Sequence, residues 1–72
     1  MELKDRLRAL RREHGATQEA MAELLGIQLR AYQNYEYGSS FPNYKNFLRL
    51  ADYFDVSLDY LAGRTDRREV NR

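Results

Sequence analysis

The side chains best equipped for chemistry crowd into one stretch near the middle of the chain: Gln28, Arg30, Gln33 and Asn34, with Leu29 among them. Carboxamides and a guanidinium are poor nucleophiles and poor proton shuttles, but they recognise hydrogen-bonding edges well. An amide sets a donor beside an acceptor, which matches the major-groove edge of adenine; the fork of Arg30 matches the two acceptors of guanine; and Leu29 suits a thymine methyl. The groups an enzyme would need are absent: no nucleophile paired with a base, no glycine loop to cradle phosphate, no metal cluster. Cysteine is lacking and His14 is the single histidine, which excludes disulfide frameworks and the usual zinc sets. His14 near a helix end reads as a mildly favourable partial charge. No enzyme, cofactor, metal or small-molecule ligand is expected.

Whether those five residues face outward depends on the elements that carry them. Tyr32 and Tyr35, three apart, share the inner face of a helix that resumes just after Ile27, so Gln28, Leu29, Arg30, Gln33 and Asn34 fall outside. Before it, Thr17 is a good N-cap for a second helix over about Gln18 to Leu25, and Gly26 follows after some two turns. Two helices joined by so short a link must cross steeply. From Glu2 to His14, Leu3, Leu7 and Leu10 mark one face of a first helix that carries Lys4, Arg6, Arg8, Arg11 and Arg12 on its other sides and stops at Gly15. Downstream, Pro42 pushes Phe41 out of helical geometry and Asn43 can cap a fourth helix running to Phe54. Asp55 is its turn residue, and Ser57 caps a short fifth helix with Leu58 and Leu61. Tyr32, Tyr35, Tyr44, Tyr53, Phe47 and Phe54 recur at helical spacing and read as core.

Seventy-two residues support one all-α domain of five helices over 1–63, with one modest core and no second domain to sense an effector. The stretch 64–72, rich in charge and with Val70 as its one aliphatic residue, should fray unless something holds it. Its Arg64, Arg67, Arg68 and Arg72 could touch phosphates or merely solvate the terminus. Twelve Lys plus Arg against eleven Asp plus Glu leave a net charge of +1, so affinity for nucleic acid must rest on uneven charge. The charged N-terminal MELKDRLRALRREHG has no apolar run for export or for spanning a membrane, which makes the cytoplasm, beside the nucleoid, the expected address.

The stretch TQEAMAELLGIQLRAYQNYEYG, about 17–37, resembles the helix-turn-helix of the lambda-repressor-like (XRE, Cro/repressor) family. Ala22 is small where the third helix crosses the second, Gly26 suits a tight turn, and Met21, Leu25, Ile27, Tyr32 and Tyr35 fix the angle. LKDRLRALRREHG, the loop ending in Pro42, LADYFDVS and LDYLAG extend the likeness over roughly Leu3 to Gly63. Tyrosines at 32 and 35 and Asp55 depart from the more usual aliphatics and glycine; both rings are expected to pack with their hydroxyls at the surface.

The resemblance implies a transcriptional regulator, a repressor in sense, that inserts helix three into the major groove of double-stranded DNA and binds a two-fold operator as a homodimer. It further implies phosphate contacts from Gln18 at the start of helix two, from Arg11, and from Ser39, Ser40, Asn43 and Lys45, and an ion pair between Arg11 and Glu36. Gln28 could instead be spent capping its own helix. An exposed Tyr60 beside Leu58 and Leu61 is the expected dimer surface. The alternative is an antitoxin or antirepressor working through protein contacts; an apolar outer face on helix three would favour it, and that face is mostly polar.

Overall fold

The computed structural model describes residues 2–70, and the expectation for Arg72 lies outside them. Five helices follow one another: α1 (Leu3–Glu13), α2 (Gln18–Leu25), α3 (Leu29–Tyr37), α4 (Tyr44–Phe54) and α5 (Leu58–Leu61), with no strand among the described residues. Their ends are set by local chemistry. Thr17, Asn43 and Ser57 each accept a hydrogen bond from a backbone N–H in the first turn of the helix they precede. Gly26 (φ 67°) closes α2 in the left-handed region where a Cβ is costly, and Asp55 (φ 54°) does the same for α4.

Leu7, Leu10, Met21, Leu25, Tyr32, Leu50, Phe54 and Leu61 form the core, to which α1, α2, α3, α4 and α5 all contribute. Each fully buried Leu stabilises the fold by about 1.5–3 kcal/mol relative to an exposed one. Ala22 is buried as its size requires.

Several expectations are corrected. Arg6 is not on a solvated side of α1: it is buried, its guanidinium 3.9 Å from the centre of the Tyr60 ring, donating to the carbonyls of Tyr60 and Thr65 and to Asp66. It lies three residues after Leu3 and four before Leu10, on the apolar stripe itself. Tyr44 and Tyr53 are exposed rather than core, because the stripe of α4 runs through Asn46, Leu50, Ala51 and Phe54. Tyr53 lines the edge instead, against His14 and Phe54. The Tyr32 hydroxyl does not reach the surface; the whole side chain is buried and donates to Glu36.

Residues 64–70 lie back along the body. The Ser57 N–H donates to the Arg68 carbonyl at 2.9 Å, and Arg68 grips Glu13 with both Nη atoms at 2.7 and 2.9 Å. Thus the body itself supplies the partner that the sequence demanded for this segment. The same contacts cover part of Tyr60, since its ring lies under Arg6 with Arg68 nearby. Leu61 is fully buried and cannot meet a second chain. Of the three residues expected at a dimer surface, Leu58 and Tyr60 are half-buried.

Candidate nucleic-acid interface

The helix α3 is held from behind by a carboxylate. Glu36, on the last turn of α3, is 1 % exposed, and four hydrogen bonds converge on it. Its Oε2 accepts from Arg11 Nε at 2.6 Å and from the Tyr32 hydroxyl; its Oε1 accepts from Gln18 Nε2 at 3.1 Å and Arg11 Nη2 at 3.2 Å. Arg11 spends its remaining Nη1 on the Ala16 carbonyl at 3.1 Å, and Arg8 reaches the Glu36 carbonyl at 2.8 Å. Two arginines of α1 and one glutamine of α2 therefore fix the end of α3.

Burial alone would raise the Glu36 carboxyl, but hydrogen bonds from Arg11, Tyr32 and Gln18 outweigh it and hold the group below its ordinary value. Burial and the adjacent carboxylate push the Tyr32 phenol above its own. The Arg11 guanidinium is raised further, chiefly by its hydrogen bond to Glu36. The site is thus an ionised, fully satisfied pair. The ion pair expected from the resemblance is present. Three of the five Arg11 N–H groups are committed inside the protein, which leaves it fewer donors for a phosphate than an exposed arginine has.

On the outer side of α3, Gln28, Leu29 and Arg30 are exposed, and Gln33 and Asn34 are half-buried. Gln28 occupies the N-cap position, yet its side chain makes no capping bond, so it remains available outward. Gln33 Nε2 donates to Gln18 Oε1 at 3.1 Å, which joins α2 and α3 at the seam of the motif. The Asn34 carbonyl accepts from the N–H groups of Ser39 and Ser40, at 3.0 and 3.4 Å. These bonds stop α3 at Gly38, whose φ of 84° needs glycine; a Cβ there would also sit 2.9 Å from Lys4 Cδ.

Ser39 and Lys45 are exposed and Ser40 is half-buried. Asn43 Oδ1 caps α4 by accepting from Asn46 N at 2.9 Å, which leaves its NH2 group as the donor for an outside acceptor. Sequence reasoning missed the Gln18–Gln33 bond, although two amides fifteen residues apart across a short turn were a signal. It also missed the exposed aromatics of this end, Tyr37, Phe41 and Tyr44.

Residues 5–67 match the model of the family described as Helix-turn-helix domain. The chain belongs to that family. This helix-turn-helix protein is 39 % identical over 64 residues to the cryptic phage CTXphi transcriptional repressor RstR of Vibrio cholerae, a match covering 89 % of the chain and 57 % of RstR. It is 44 % identical over 66 residues to the uncharacterised HTH-type transcriptional regulator YqaE of Bacillus subtilis, covering 92 % of the chain and 57 % of YqaE. The chain thus spans just over half the length of these relatives.

Among solved structures, the helix-turn-helix protein superposes with a TM-score of 0.82 on the P22 c2 repressor in complex with a synthetic operator, at 28 % identity over 90 % of this chain and 98 % of that one. A transcriptional regulator from Listeria innocua gives 0.85 at 36 % identity, over 89 % of this chain and 60 % of that one. The lambda-repressor-like resemblance and the all-α architecture are both borne out. The family is one of DNA-binding transcription regulators rather than of enzymes. No helix among the described residues is long and apolar enough to cross a membrane.

Proposed function

We propose that this chain binds double-stranded DNA sequence-specifically as a homodimer and represses transcription from a two-fold operator in the cytoplasm. The observation that carries the reading is the outer face of α3: Gln28, Leu29 and Arg30 exposed, with Gln33 and Asn34 beside them, on a helix locked by α1 and α2. Such a face presents donors and acceptors to base edges at fixed depth in the major groove. Gln18, Ser39, Ser40, Asn43 and Lys45 grip phosphates on either side; Arg11 is the weakest member of that set, since three of its five N–H groups go to Glu36 and Ala16.

For the second copy, the surface is an apolar groove next to the C-terminal end of α5. Ala62, one turn beyond Leu58, lines that groove with Leu3, Phe41, Pro42 and Phe47, and Phe41 is 74 % exposed. A two-fold contact seats the Phe41 of one copy against the groove of the other and removes an apolar ring from water. Phe41→Ser is expected to weaken self-association in sedimentation equilibrium; an unchanged oligomeric state would discard this face.

The test of the function is selection from random duplexes with purified protein, followed by affinity measurements across salt. A two-fold site with half-sites about one helical turn apart, bound more weakly as salt rises, is the expected result. If no sequence is enriched, the reading fails, and a protein partner of the antitoxin or antirepressor kind takes its place.

A further inference from the structure

The bond between Gln18 and Gln33 has a direction, and Glu36 sets it. An ionised carboxylate only accepts. Gln18 must therefore turn its NH2 toward Glu36, as the 3.1 Å Nε2 to Oε1 contact has it, and this leaves Gln18 Oε1 pointing away. That oxygen in turn demands a donor, and Gln33 supplies its own Nε2 at 3.1 Å. Arg11 and Tyr32, by donating to the same carboxylate, keep it charged and immobile. A two-amide chain with four possible orientations is reduced to one.

The consequence lies in what Gln33 has left. One N–H is spent on Gln18, so the amide presents a single N–H beside a free Oε1. Adenine offers an acceptor at N7 and a donor at N6, which this pair satisfies; guanine offers two acceptors, N7 and O6, and O6 would face the Gln33 oxygen. We propose that Glu36, acting through Gln18, polarises the Gln33 amide so that it accepts adenine and rejects guanine at one base pair of each half-site. Gln33 is the reading residue, while Glu36 and Gln18 are positioning residues. The proposal rests on the DNA-binding reading above and adds to it the base and the origin of its discrimination.

The test uses the site selected by the wild-type chain and its single-base variants. Gln18→Met keeps the length of the side chain and leaves the Arg11–Glu36 pair intact, so the fold should survive, which a thermal melt checks. A preference for adenine over guanine of about tenfold in the wild type, within the range of one bidentate contact, should fall to within about threefold in Gln18→Met. Gln33→Ala should abolish the preference at that same base pair and leave the others intact. Two outcomes overturn the proposal while the DNA-binding reading stands: a purine preference unchanged in Gln18→Met, beyond the uniform loss that its phosphate contact accounts for, or no single position affected by Gln33→Ala. A wild-type chain that enriches no sequence overturns both.

Discussion

Two clusters of charge tie α1 to the rest of the molecule, and they are built on opposite principles. At one end, Glu36 is buried with every lone pair committed, and the side chain of its partner Arg11 is 13 % exposed. At the other, Arg6 is equally sheltered, but its carboxylate, Asp66, stands fully in water, and the Arg68–Glu13 pair is about half exposed on both sides. A buried pair cannot lose one member without stranding the other, whereas an exposed pair exchanges its partner for water at little cost. The recognition helix is held by the first kind and the C-terminal segment by the second. Rigidity is thus placed where a reading surface needs it, and the tail is left easy to release.

Substitutions can break that contrast, beginning with the buried carboxylate. Glu36→Ala is expected to cost about 3–5 kcal/mol, since it strands the Arg11 guanidinium. In a domain of this size the total stability is about 4–11 kcal/mol, so urea denaturation should show the unfolding midpoint shifted far toward low denaturant.

Acid should attack the same point without a mutation. The Glu36 carboxyl lies below its ordinary value of 4.5 in the fold, so near that pH the unfolded chain binds more protons than the folded one. Its contribution is complete above that value and is lost as pH falls through the folded one. Tyr32 has the opposite sign: its raised phenol stabilises the fold below the ordinary value of 10.0, and this is lost as pH rises beyond it. Melting temperature against pH should therefore fall at both extremes, and Glu36→Gln should flatten the acid limb.

Tyr32→Phe removes one donor from a carboxylate that keeps three, at an expected cost of about 1–2 kcal/mol by chemical denaturation. Arg68→Ala should have the smallest effect, shrinking further as salt screens the exposed pair in the wild type. Hydrogen exchange sharpens the point: the Ser57 N–H, bonded to the Arg68 carbonyl, should exchange faster than the Leu61 N–H, bonded within the fold to Ser57. Equal protection would mean that the tail is as firmly held as α5.

The helices were legible because their ends are written in single residues. Thr17, Gly26, Asn43, Asp55 and Ser57 each act within one turn, and all five take the conformations their side chains favour. Depth was harder to read. Periodicity tells which residues share a face but not how far that face is buried, so Leu61 was placed at a surface and Tyr44 in the core. Arg6 was hidden by its charge, although its register put it on the apolar stripe. At the candidate site the outward set was legible from the inward tyrosines, and the Arg11–Glu36 pair from the family likeness. That Arg11 would spend three of its N–H groups inside the protein depended on Ala16 and on the meeting of three helices, which no local pattern encodes.

The concentration of four donors on one carboxylate also bears on how this chain can change over generations. Positions 11, 18, 32 and 36 are joined through a group that only accepts, so a lineage replacing Glu36 strands donors on three side chains, and one replacing Arg11 leaves an uncompensated anion. The four should drift as a set or not at all. Arg30 and Leu29, tied to none of them, are free to vary one at a time. If α3 reads DNA as proposed, new sequence preferences can arise at its outer edge without any change to the frame that holds it.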